Sequence, residues 1–168
     1  MILEVLKYPH PLLKEKAELV GDVTPELREL AADMLETMYE NEGIGLAAPQ
    51  VGELTRLVVV DVSGPELREA PMVLVNPELE LIGEECESEE GCLSVEDYRN
   101  TVKRSTTVRL KAADLDGNPV ELEAEGTLAI CLQHECDHLD GVLFIDHLSR
   151  LKRSLYDSKV KKWAKTGR

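Results

Sequence analysis

His134-Glu135-Cys136-Asp137-His138 sets two imidazoles four residues apart, with a carboxylate beside the first. On a helix, side chains at i and i+4 leave the same face about one turn apart, so both imidazoles can reach one metal ion. Glu135 then stands where its carboxylate can take a proton from a water held at that ion. Hydrolysis by a general base needs this arrangement. Leu128 to Leu132, just before, is apolar on every side, so the helix is expected to be buried. Unpaired histidine and glutamate in a buried helix are costly, and a metal ion removes that cost.

A catalytic site of this kind has three protein ligands and one open position. Downstream, Asp146 and His147 offer a third donor and would make a metallopeptidase that cuts internal peptide bonds. Upstream, Glu90-Gly91-Cys92-Leu93-Ser94 offers a thiolate, with Gly91 freeing the backbone beside it. A closed, non-catalytic metal site that stabilises a module docking on RNA through its basic tail is a third reading, against which Glu135 beside the ligands argues. The four cysteines, Cys86, Cys92, Cys131 and Cys136, are not read as disulfides. A chain with an ample core in a reducing compartment more often uses cysteine as a small buried hydrophobe or a metal ligand.

Gly43-Ile44-Gly45-Leu46-Ala47-Ala48-Pro49-Gln50 begins like a dinucleotide-binding fingerprint, and Asp61 follows a strand at a suitable distance. The context fails, because these glycines follow a helix, Ala48 replaces the third glycine, and Pro49 would break the phosphate-cradling helix. An apolar glycine loop ending in Gln50 suits another task. Its backbone can lie along an extended peptide, and the glutamine amide can donate to a developing oxyanion.

These segments need elements to position them. Thr24-Pro25 reads as a helix N-cap with proline in the first turn, and Leu27, Leu30, Ala31, Met34 and Met38 recur at helical spacing to about Asn41. Arg56 to Val62 reads as a buried strand, and Met72 to Val75 as another, ended by Asn76-Pro77. Alternating apolar residues at 108–112 and 120–124, either side of Asp116-Gly117-Asn118, predict a hairpin with one buried face. A second strong helix runs from about Thr127 to Asp140, with Gly141 as its stop. The class is α+β, with antiparallel strands packed around a central helix that carries the HExxH motif, plus a C-terminal helix.

The chain has 168 residues, 43% hydrophobic and 31% charged, which predicts one compact domain. Its apolar runs are too short to span a bilayer, and Met1-Ile2-Leu3-Glu4 does not read as a targeting segment, so a cytoplasmic location without membrane partners is expected. Residues 150–168 hold eight basic residues against Asp157 alone, a formal +7. Residues 1–149 then carry −21, which gives the overall −14. That body repels phosphate backbones and argues against DNA, whereas the tail can attract them. Leu148, Leu151 and Leu155 recur at helical spacing, which predicts that the tail packs through them and leaves Arg153, Lys161, Lys162 and Lys165 free. The division expected is a catalytic domain over 1–149 and a basic helical tail over 150–168.

Taken together, Gly43 to Gln50, Glu90 to Ser94 and Gln133 to His138 resemble the three motifs of the bacterial peptide deformylases, in the right order. The resemblance runs from Tyr8-Pro9-His10-Pro11 through Asp140-Gly141-Val142-Leu143-Phe144. It implies removal of the formyl group from N-formylmethionyl peptides, with release of formate. It makes Cys92, His134 and His138 the metal ligands, with Fe²⁺ as the usual ion and Zn²⁺, Ni²⁺ or Co²⁺ able to replace it. It makes Glu135 the proton carrier, with Gln50 and the Leu93 N–H as oxyanion donors. A methionine pocket is implied at Ile44, Ile130, Cys131 and His134, with Gly45 and Gly91 alongside the peptide and Arg99 matching a peptide-binding basic residue. Ser88 and Thr127 fall where relatives often place larger apolar residues. Some members of the family use a C-terminal helix on the ribosome, which makes ribosome association an expectation for the basic tail. Cys86 and Cys136 are read as non-ligands, and His10 and His147 as structural or exposed.

Overall fold

A computed structural model describes residues 1–167; Arg168, counted in the basic tail, lies outside the described residues. Helix α1 (Pro25–Glu40) starts where Thr24 accepts a hydrogen bond from the Leu27 N–H, with Pro25 in its first turn. Its stripe of Leu27, Ala31, Met34 and Met38 is buried, and a one-turn helix, α2 (Gly64–Leu67), follows later in the chain. Five antiparallel strands form the main sheet in the order β1 (Gly45–Ala47), β2 (Leu57–Val60), β3 (Met72–Leu81), β6 (Thr107–Ala113) and β7 (Pro119–Glu125).

Strand β2 explains the layering. All four of its residues are fully buried, and they alternate between two clusters. Leu57 and Val59 pack with the α1 stripe, whereas Val58 and Val60 pack with Ala129, Leu132 and Leu139 of helix α3 (Gly126–Leu139). A strand covered on both faces needs a continuous apolar run instead of an alternating one. Burial of each such side chain stabilises by about 1.5–3 kcal/mol. The sheet is thereby fixed between α1 and α3, and β1 with the loop before it is fixed beside α3.

The hairpin of β6 and β7 forms as expected. Asp114 accepts from the Asp116 and Asn118 N–H groups, and Gly117 takes φ 82° at the turn. Three expectations are corrected. Asn76-Pro77 does not end its strand. The register shifts between Val75 and Glu78, Asn76 sits at φ 52°, and its amide exchanges hydrogen bonds with the Val20 backbone, after which β3 continues to Leu81. The strand expected over Arg56 to Val62 is confined to Leu57–Val60. A second, two-stranded sheet, β4 (Glu85–Cys92) with β5 (Val95–Ser105), was not expected, because glutamates crowd its first strand. Its inward face carries Ser88 and Glu90, and its outward face carries Glu87 and Glu89.

Helix α4 (Arg150–Thr166) packs differently from the leucine pattern. Leu151 is 70% and Leu155 64% exposed. The packed face consists of Tyr156, Val160 and Trp163, set against Tyr8, Tyr98 and Phe144, with only Leu148 of the expected leucines joining it. Arg153 is not free either: it pairs with Asp146 and lies 5.4 Å from the Tyr8 ring centroid. Aromatic partners brought from distant parts of the chain outweigh two leucines that stay largely exposed. Among the described residues, no helix is long and apolar enough to cross a membrane.

Candidate metal centre

Helix α3 carries two kinds of residue. Ala129, Leu132 and Leu139 hold it against the main sheet, and His134 and His138 leave it toward the β4–β5 hairpin. Their ring centroids lie 5.1 Å apart. Cys92, the last residue of β4, places its Sγ 3.4 Å from His138 Nε2. One ligand atom from each of Cys92, His134 and His138 lies within 4.8 Å of the others, the only such group of three or more among the described residues. Burial pushes the Cys92 thiol up, but His138 and His134 outweigh it and hold the thiol well below its ordinary range. Two imidazoles and a thiolate suit a first-row divalent metal.

Behind His134 stands a buried ionic frame. Its Nδ1 lies 2.8 Å from Glu90 Oε1, and Glu90 takes two hydrogen bonds from Arg104, at 2.8 and 2.9 Å. Arg104 Nη1 then reaches Asp137 Oδ2 at 2.7 Å, which also faces His147 Nε2 at 2.9 Å. Burial alone would raise the Glu90 carboxyl, but Arg104 and then His134 hold it down at about 2. The carboxylate therefore accepts from His134 Nδ1 and leaves the other ring nitrogen to bind a metal, the usual way a ligand histidine is oriented. Phe144, stacked 6.0 Å away, backs the same ring. Sequence reasoning quoted Glu90 without a role and missed Arg104. The available signal was the inward position of Glu90, opposed across the hairpin by a run that includes Arg104.

Glu135 is buried, and its Oε1 has no hydrogen-bond partner among the described residues. Burial pushes its carboxyl upward, although His134 and His138 oppose this. An orphaned carboxylate beside three converging donors fits a metal carrying water. Gly45 is required here by closeness: a Cβ at this position would lie 2.5 Å from Glu135 Oε2 and 2.9 Å from Cys131 Sγ.

Gln50 is oriented by its own turn. Its Oε1 accepts from the Ala47 N–H at 3.0 Å, so its NH₂ points the other way, 3.2 Å from Ser94 Oγ and 3.5 Å from Cys92 Sγ. Leu93 lies at the turn between β4 and β5, with its carbonyl taken by Lys7 at 2.6 Å. A cavity of about 580 Å³ opens in front of this group. Gln50, Cys92, Leu93, His134 and Glu135 line it, together with Ile44, Gly45, Gly91, Ile130 and Cys131. Arg99 is exposed at the rim, over Gly91, and donates to the Glu89 carbonyl at 3.3 Å. His138 lies deeper and is almost fully buried.

The downstream ligands are ruled out by geometry. Asp146 accepts from the Leu143 N–H and pairs with Arg153, and His147 faces Asp137, so neither joins the ligand group. His10 accepts from the Leu12 N–H as a turn cap. All four cysteines are free.

The family model described as polypeptide deformylase matches residues 2–154. A peptide deformylase of Thermodesulfovibrio yellowstonii is 50% identical over 160 residues, covering 95% of this chain and 97% of the relative. One of Alkalilimnicola ehrlichii is 48% identical over 167 residues, covering 99% and 93%. Among solved structures, a peptide deformylase from Legionella pneumophila superposes with a TM-score of 0.92 at 42% identity, covering 99% of this chain and 98% of its own. That of Ehrlichia chaffeensis in complex with actinonin superposes with a TM-score of 0.89 at 38% identity, covering 96% of each chain.

Proposed function

The chain belongs to the polypeptide deformylase family, metal-dependent hydrolases that remove the formyl group from N-formylmethionine of nascent polypeptides, and from that premise we propose which of its residues do the work. Cys92, His134 and His138 hold the metal, which is ferrous iron in the cell. When bound, such an ion polarises the formyl oxygen and makes water a nucleophile at neutral pH. Glu135 takes the proton from that water and delivers it to the leaving amine, so that formate and a free amino terminus result. Gln50 Nε2 and the Leu93 N–H hold the oxygen that gains charge, each such donor being worth about 3 kcal/mol of barrier. Ile44, Ile130, Cys131 and the His134 ring receive the methionine side chain. The peptide runs past Gly45 and Gly91 toward Arg99. The same cavity is proposed to take actinonin, which the Ehrlichia chaffeensis relative holds.

The orphaned Glu135 carboxylate carries this reading, because a merely structural metal site has no use for a buried, unpaired acid beside its ligands. Formate release from formyl-Met-Ala-Ser by anaerobically purified protein tests it, and absence of formate refutes it. Fe²⁺ beside an accessible thiolate is oxidisable, so activity should decay in air and be protected by catalase. Full, stable activity with iron still bound after prolonged aeration would contradict this expectation, whereas a stable nickel or zinc form would not. Residues 1–149 act as the catalytic unit in the cytoplasm, and 150–168 as a basic tail that meets the ribosome.

A further inference from the structure

Two hydroxyls stand in the wall of a cavity that is otherwise apolar where the substrate side chain enters. Strand alternation sets Ser88 on the inward face of β4, two residues before Glu90, where it is only 8% exposed. Thr127 lies three and four residues before Ile130 and Cys131, on the same face of α3, and is exposed at the rim. Both line the cavity with Ile44, Ile130 and Cys131. Among the described residues, neither hydroxyl has a hydrogen-bond partner. A pocket shaped only for an alkyl or thioether chain gains little from them, since a thioether sulfur is only a weak acceptor.

We propose that Ser88 and Thr127 extend the substrate class of this deformylase to peptides that begin with N-formylmethionine sulfoxide, by donating hydrogen bonds to the sulfoxide oxygen. The proposal rests on the reading of this cavity as the side-chain pocket. The sulfoxide is the first product of methionine oxidation and turns a flexible apolar side chain into a polar, chiral one. Its oxygen is a strong acceptor, and Ser88 and Thr127 border the cavity that would receive it, one from a strand and one from a helix. The reaction is unchanged: water adds to the formyl carbon, the C–N bond breaks, formate and the amine leave, and the sulfoxide oxygen is neither gained nor lost. A purely apolar pocket would reject such a side chain because the oxygen would lose its water without replacement.

The test compares kcat/KM for formyl-Met-Ala-Ser, formyl-norleucyl-Ala-Ser and formyl-Met(O)-Ala-Ser, using the metal-loaded full chain and formate release. The sulfoxide should react within about 10-fold of norleucine, which has the same shape and no acceptor. Ser88→Ala/Thr127→Val should lower that ratio by about 25-fold, at about 5-fold per neutral hydrogen bond. Thr127→Val alone, at an exposed position that tolerates change, should lower it about 5-fold, and Thr127→Ser should keep it. The two sulfoxide epimers should react unequally in the parent chain and more equally in the double variant. Ile130→Phe separates the two layers of inference, because filling the pocket should depress all three substrates together. If Ile130→Phe spares them all, the pocket assignment falls and takes the proposal with it. If it depresses them while the hydroxyl variants leave the sulfoxide-to-norleucine ratio within about 2-fold of the parent, the hydroxyl proposal alone is overturned.

Discussion

Replacing Arg104 with Met tests whether the buried frame behind His134 is a working part of the site. Arg104 is 6% exposed, neutralises Glu90 on one side and reaches Asp137 on the other. Methionine keeps the length and removes the charge, so Glu90 is left buried with His134 alone. Breaking one half of a buried pair costs about 3–5 kcal/mol. The Glu90 carboxyl is correspondingly held at about 2 instead of 4.5. That preference for the charged form amounts to about 3 kcal/mol, part of it owed to His134. With about 3 kcal/mol lost, at 2–4 °C per kcal/mol for a chain of this size, Tm should fall by about 6–12 °C. The pH dependence follows from the direction of the shift. A depressed carboxyl stabilises the fold above its unfolded value and loses that contribution as pH falls through its folded value. In the parent this loss comes near pH 2. Without Arg104 the carboxyl returns upward, so acid unfolding should begin at a higher pH. His134 also loses its fixed acceptor, and a chelator should strip the metal about 10- to 100-fold faster. Thermal melts of the metal-loaded protein at neutral and mildly acidic pH, an acid titration followed by circular dichroism, and chelator extraction rates read all three. Arg104→Lys should fall between, since it keeps the charge and loses the two-pronged geometry. A Tm within about 2 °C of the parent at both pH values, with unchanged extraction, would refute the reasoning.

Four further outcomes are expected. Glu135→Gln should keep its metal and lose about 100- to 10,000-fold in turnover, because the amide cannot accept a proton; metal analysis beside kcat checks it. Gln50→Ala should lower kcat by about 100- to 1,000-fold with a smaller effect on KM, the mark of a donor used mainly in the transition state. Gly45→Ala would put a methyl group 2.5 Å from Glu135 Oε2, so the carboxylate must move, and a fall in kcat of about 100-fold without loss of metal should follow. Reversing Lys161, Lys162 and Lys165 to Glu should leave turnover of a short formyl peptide unchanged and reduce ribosome co-sedimentation, which should itself fall steeply with salt. Equal binding by both forms would make the tail a plain solvated face.

The elements legible in the sequence are those whose environment is uniform along their length. The α1 stripe, the β2 run and the alternation across β6 and β7 each meet one kind of neighbour per face, so hydrophobic period alone locates them. The β4–β5 hairpin fails that condition. Its inward positions include Ser88 and Glu90, and its outward ones Glu87 and Glu89, so strand alternation exists in burial but not in polarity. Its inward face mixes two kinds of support: Val95 and Val102 of β5 join the apolar cluster around Phe144, while Glu90 is matched by Arg104 at 2.8 Å, a pairing between residues 14 apart that no local pattern announces. The α4 face was misread for a related reason. Period counts leucines, but Tyr156 was chosen by rings on Tyr8 and Tyr98, the latter 4.6 Å away between centroids.

The site's three donors were visible because metal chemistry restricts residue type and spacing more tightly than packing does. Two histidines one turn apart and a cysteine beside a glycine have few other reasons to occur together in this order. The residues that support them have no such restriction. Any carboxylate could accept from His134, and any cation could neutralise it, so Glu90 and Arg104 acquire their roles only through position. Helix α3 shows how the two levels combine. Ala129, Leu132 and Leu139 fix its rotation against β2 by burial, and that rotation then decides where His134, Glu135 and His138 can point. A rotation of one residue, about 100°, would keep the helix and lose the site. The apolar face is thus a condition of the chemistry. Substitutions such as Leu132→Ala should therefore loosen metal as well as lower stability, since the cavity left in the core lets α3 turn.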